Sequence, residues 1–121
     1  QYDATIEAHA QQHGYQVDIV YTNVEGEAIN AIYAAHAVGL DGLLMNPAGF
    51  TYGGYALRDC VLAVDIPYVE VHISNIEKRG VKSVTASASS GVVFGFGLYS
   101  YVLGLDALLN VLGRSEGTPG S

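Results

Sequence analysis

Short apolar runs and segments of helical period take turns along this chain, and that alternation admits few architectures. Residues 5–13 carry Ala, Gln, His and Ile at helical spacing, and Gly14 is a natural stop. Residues 17–21 alternate around Val17, Ile19 and Tyr21, which reads as a strand. Asn23 is placed to cap a second helix over 25–38, with Glu25 and Glu27 in its first turn. Residues 43–45 form a short apolar run, as expected for a strand covered on both faces. A loop rich in Gly and Pro follows, then a helix over 55–63. Pro67 opens a further strand over 68–71. Residues 74–90 are polar and irregular, residues 92–94 read as the last strand, and 98–112 as the last helix. Strands alternating with helices give an α/β fold with a parallel sheet, right-handed crossovers and helices on both faces. Four strands are expected in one domain over 1–112, with a flexible tail over 113–121.

Composition removes several classes of function. Half the residues are hydrophobic and 14% are charged, so the chain can bury a core. The net charge is −7, and the five basic residues form no stripe able to follow a phosphate backbone. Nucleic acid is therefore not an expected partner. No apolar run reaches the ~18 residues of a membrane span, and a membrane is not expected either. The single cysteine, Cys60, permits no intrachain disulfide, which fits a reducing, cytoplasmic setting. His9, His13, His36 and His72 read as scattered, so no metal site is expected.

Functional groups in parallel α/β folds gather at the carboxyl ends of the strands. Asn46 ends one strand, and Glu70 to Asn75 end the next. Glu70 and His72 are two residues apart and so face the same side of one strand. A carboxylate that orients an imidazole is a common way to hold a general acid. The same spacing also suits a His used only as a structural hydrogen-bond partner. The Asn46 amide can donate and accept, which suits a hydroxylated ring, or equally the turn before Pro47 and Gly49. Asp59 beside Arg58 reads as a surface ion pair, and Tyr52, one of nine tyrosines, as a packing residue.

Five segments then carry a resemblance: T22-N23-V24-E25-G26-E27, N46-P47-A48-G49-F50-T51, A56-L57-R58-D59, I66-P67-Y68-V69-E70-V71-H72-I73-S74-N75 and G91-V92-V93-F94-G95-F96-G97. In order and spacing they are similar to the type II dehydroquinases, the 3-dehydroquinate dehydratases of the shikimate and quinate pathways. The resemblance implies a flavodoxin-like, three-layer α/β/α fold and a homo-oligomer, a dodecamer of trimers. It implies elimination of water from 3-dehydroquinate through an enolate, giving 3-dehydroshikimate with no metal or organic cofactor. It makes His72 the acid that protonates the departing hydroxyl and Glu70 its orienting partner. Asn46 and the backbone N–H groups of Ile73 and Ser74 would bind substrate, and Asp59 would reach a neighbouring site across a subunit contact.

Three departures accompany the match. The family's opening strand, ending L-N-G-P-N, and its loop bearing an Arg and the Tyr base have no counterpart here, and the chain is read as incomplete. The family's T-H-T-S is T51-Y52-G53-G54, which puts Tyr52 where a substrate-binding His stands. The family's R-E-x-F-R-x-H-S is shortened to R79-G80-V81-K82-S83, so Lys82 or Arg79 takes over from a lost Arg. These losses leave an alternative, a repurposed relative that serves as an oligomeric scaffold or anion-binding protein.

Overall fold

The computed structural model describes residues 2–113. They form four helices, α1 (Tyr2–His13), α2 (Glu25–Ala37), α3 (Tyr55–Val64) and α4 (Tyr99–Val111), and three strands, β1 (Leu43–Met45), β2 (Tyr68–His72) and β3 (Gly91–Phe94). The strands pair in parallel in the order β1-β2-β3, with Met45 opposite Glu70 and His72 opposite Phe94. The expected tail over 113–121 lies outside the described residues apart from Gly113.

Strand alternation sorts the β2 side chains between two helical layers. Tyr68 faces α2 and α3, where it packs with Ile32, Leu57, Cys60, Val61 and Val64. Val69 and Val71 face α4. There Gly104 lets the helix come so close that an added Cβ would lie 2.5 Å from Val71 Cγ1 and 2.7 Å from Leu44 Cδ1. Helix α1 packs on α4. The sheet is thus the middle of three layers, as a parallel sheet requires.

Two expectations need correcting. Residues 17–21 form no strand. Tyr15, Val17 and Ile19 are half-buried while Gln16, Asp18 and Val20 are exposed, so the alternation visible in the sequence is real. A strand also needs a neighbour for its N–H and C=O groups, and no described strand pairs with this segment. Asn23 does not cap α2; the cap residue is Val24. Thr22 does the side-chain work instead. Its Oγ1 accepts from the Val24 N–H at 3.0 Å and donates to Glu27 at 2.6 Å. Glu25 turns away from its own helix and accepts the Leu57 N–H at 3.1 Å, which satisfies a free donor in the first turn of α3.

Candidate active site

At the carboxyl end of β2 the buried face of the strand runs out into a cavity. Its volume is about 300 Å³, and Asn46, Thr51, Tyr52, His72, Ser74 and Arg79 are among the residues that line it. β1 delivers Asn46 and β2 delivers His72. The loop after β1, wound into a 3₁₀ turn over Ala48–Tyr52, brings Thr51 and Tyr52. Beyond β3, the Gly97 N–H donates to the Ile73 carbonyl at 2.9 Å and ties down the segment that follows His72. Gly95 (φ +99) allows that approach, since a Cβ there would sit against Asn75 in a conformation side chains rarely adopt.

Glu70 has no solvent-exposed surface, and His72 is 5% exposed. His72 Nε2 and Glu70 Oε2 are 2.7 Å apart. Tyr68 donates to Oε1 of the same carboxylate at 2.7 Å, and Thr85 donates to it as well. Burial pushes the Glu70 carboxyl up. Hydrogen bonds from His72, Ser83, Thr85 and Tyr68 outweigh it and hold the group below the usual carboxylate range. Burial and the neighbouring Glu70 charge push the Tyr68 phenol far up, so it stays a donor. The carboxylate is therefore a fixed anion. It sets the orientation of the imidazole and leaves Nδ1 outside that bond.

The rest of the lining is polar. Asn46 donates from Nδ2 to the Tyr101 hydroxyl at 3.1 Å, and its Oδ1 accepts the Ala48 N–H at 3.1 Å. The amide is thus held at both ends, and the turn role joins any ligand role. Arg79 donates to the Tyr52 hydroxyl at 3.1 Å and to Ser74 Oγ at 3.4 Å. Tyr52 is 64% exposed and stands at the rim. Thr51 is 3% exposed, and its Oγ1 is the one buried side-chain oxygen or nitrogen without a partner among the described residues. A buried orphan hydroxyl beside a cavity is costly unless a ligand or water completes it.

Asn46, Tyr52, His72, Ile73 and Ser74 line one cavity, with Glu70 directly behind His72. Asp59 does not reach it; the carboxylate pairs with Arg58 at 3.2 Å on the surface of α3. Lys82 is not in the lining, and the cation there is Arg79. Sequence reasoning does not single out Thr51, Tyr68, Thr85 or Tyr101. Tyr68 is within its reach, since it stands two residues before Glu70 on the same face. Thr85 lies in the aperiodic segment and carries no signal. The histidines are less scattered than their spacing suggests: α1 stacks His9 on His13, with ring centroids 4.2 Å apart.

Comparison with known proteins agrees with this geometry. The family model described as dehydroquinase class II matches residues 1–109. The 3-dehydroquinate dehydratase of Clostridium acetobutylicum is 44% identical over 104 residues, which are 84% of this chain and 72% of that protein. That of Caldicellulosiruptor bescii is 41% identical over 111 residues, 89% of this chain and 77% of its own. The crystal structure of type II dehydroquinase from Butyrivibrio crossotus superposes with a TM-score of 0.82 at 33% identity, covering 88% of this chain and 76% of that one.

Proposed function

This chain belongs to the class II dehydroquinase family, and from that premise we propose that its reaction runs in the cavity at the end of β2. The reaction is the elimination of water from 3-dehydroquinate to give 3-dehydroshikimate. A base, the role the family gives to a tyrosine that has no counterpart among these residues, takes the proton from the carbon beside the ketone, and the electron pair is held as an enolate. The enolate then collapses, the carbon–oxygen bond to the hydroxyl breaks, and the hydroxyl takes a proton and departs as water. His72 gives that proton from the nitrogen not bound to Glu70. Glu70 touches no substrate and works as a positioning residue.

The observation that carries this reading is the buried Glu70–His72 pair at the head of a polar cavity, 2.7 Å between nitrogen and oxygen. Asn46 and the Thr51 hydroxyl meet the ring hydroxyls, and the Ile73 and Ser74 backbone meets the carboxylate. Of the two cations the sequence offered, Arg79 and not Lys82 supplies the positive charge. Its planar fork suits a carboxylate or a pair of oxygens better than an ammonium does. Tyr52 contacts substrate from the rim.

The finer partnership is also part of the proposal: trimers joined into a dodecamer, with Asp59 reaching a neighbour's site. Exposed Tyr21, Tyr55, Phe96 and Tyr99 support an assembly that buries apolar surface. Light scattering that shows only monomer at micromolar concentration would remove it. Among the described residues no helix is long and apolar enough to cross a membrane. The lone Cys60 is free and buried, in keeping with a cytoplasmic setting.

The test follows the ultraviolet absorbance of the conjugated enone as full-length protein meets 3-dehydroquinate. Turnover that collapses in His72→Ala supports the reading. Wild type that binds dehydroquinate without forming the enone would replace it with the scaffold alternative.

A further inference from the structure

We propose that His9, His13 and Asp106 form a binding site for one divalent transition-metal ion, with zinc the best chemical match. None of these residues lines the catalytic cavity. His9 and His13 stand four residues apart on α1, so both imidazoles project from one face of the helix. Asp106 comes from α4 and closes the third side. Its Oδ1 lies 2.7 Å from His9 Nε2, and the ligand atoms of all three side chains lie within 4.8 Å of one another.

The partner of His9's other nitrogen strengthens the assignment. Nδ1 is 2.7 Å from the Tyr15 hydroxyl. In the tautomer that donates from Nδ1 to Tyr15, the Nε2 lone pair faces the Asp106 carboxylate and is open to a cation; in the other, Tyr15 donates to Nδ1 and Nε2–H donates to Asp106, so the ion would take the place of that proton. Metal-ligating histidines are held in this way, with the far nitrogen hydrogen-bonded and the near one free to coordinate. His9 is 6% exposed and fixes the site. His13 and Asp106 are exposed, so they can adjust and an ion has a path in.

Two imidazoles and one carboxylate select the class of ion. Zinc takes nitrogen and oxygen ligands at about 2.0–2.2 Å in a tetrahedron, with neighbouring donors therefore about 3.4 Å apart. Binding would move the Asp106 carboxylate outward from its present 2.7 Å to His9 Nε2. Magnesium and calcium prefer sets made of oxygen and should not compete. Water would fill the fourth position. The bound ion would join α1 to α4, a clasp between elements with no part in the dehydration.

The experiment titrates tag-free full-length protein with zinc chloride near neutral pH, reading heat and thermal midpoint. One equivalent per chain should bind and raise the midpoint, and magnesium should do neither. His13→Ala and Asp106→Asn should each abolish both effects; both residues are exposed, so the fold should survive. Tyr15→Phe should weaken zinc about 10- to 100-fold by freeing the His9 ring. His36→Ala, which changes an exposed histidine elsewhere, should leave binding intact. Absence of saturable uptake in wild type overturns the proposal. So does uptake that persists unchanged in both His13→Ala and Asp106→Asn. Neither outcome depends on turnover, so the dehydratase reading stands or falls separately.

Discussion

His72 and Glu70 meet side chain to side chain at 2.7 Å from the same face of one strand, the carboxylate wholly enclosed and the imidazole opening on the cavity. The pair concentrates the acid chemistry in one place. His72→Ala should lower kcat by ~10² to 10⁴, the usual scale for a positioned general acid. KM should change far less, because the backbone of Ile73 and Ser74 remains. Steady-state kinetics on the enone signal checks this, and undiminished turnover would remove His72 from the role.

Glu70 should also govern behaviour in acid. Its folded pKa lies below the unfolded value, so its contribution to stability is complete above the unfolded carboxylate range. That contribution disappears as pH falls through the folded value. Denaturant titrations of wild type should therefore show midpoints dropping in this window. Glu70→Gln should be less stable than wild type at neutral pH, and the difference should shrink as pH falls below about 4. A constant difference at all pH values would mean that the charge contributes nothing.

Arg79 and Tyr52 are expected to act on binding. Arg79→Ala should raise KM by about tenfold or more, the effect of losing a charge-assisted hydrogen bond worth ~1.5–3 kcal/mol. Tyr52→Phe should keep kcat within a few-fold of wild type if, as proposed, this phenol only contacts substrate from the rim. A loss of kcat by ~10² or more in Tyr52→Phe would instead make it the base.

Thr51→Val keeps the shape and deletes the orphan hydroxyl. Because that oxygen has no partner among the described residues, the substitution should not destabilise the fold, and removing an unsatisfied buried group should leave it equal or firmer. Substrate affinity should fall. Unchanged KM together with lower stability would show that Thr51 serves the fold alone.

Gly104→Ala probes the contact between α4 and the sheet. Alanine favours helix by ~1 kcal/mol over glycine. Here its methyl would overlap Val71 and Leu44, so one or both of these side chains would have to shift. Overpacking costs about 1–3 kcal/mol, so the net effect should be destabilising. A higher denaturation midpoint than wild type would show that α4 can lift off freely.

Much of this architecture is legible in the amino-acid sequence itself. The strands read at 43–45, 68–71 and 92–94 and the four helices all have counterparts, to within a few residues at their ends, because apolar runs and helical spacing mark what each element buries. Residues 17–21 mislead because periodicity reports burial, whereas a strand is made by its neighbour. The pair at Glu70 and His72 follows from the two-residue repeat of β2. The choice of Arg79 over Lys82 does not. Both lie in the aperiodic stretch 74–90, where the path is set by turns such as the Arg79 N–H to the Ile76 carbonyl at 3.1 Å. Thr85 reaches Glu70 from the same stretch, fifteen residues along the chain. Such meetings depend on how a loop closes, which local spacing does not encode.

Helix α1 rests chiefly on α4, with Tyr15 and Tyr21 holding His9 and Asp3 from the segment that follows it. An element with few partners is a natural unit of partial opening, able to detach while the core strands stay closed. Amide hydrogens of residues 6–13 should then trade with deuterated solvent well before those of β2. The catalytic strand and helix α1 would run on separate clocks, and an ion gripping both α1 and α4 would slow the helix's clock alone.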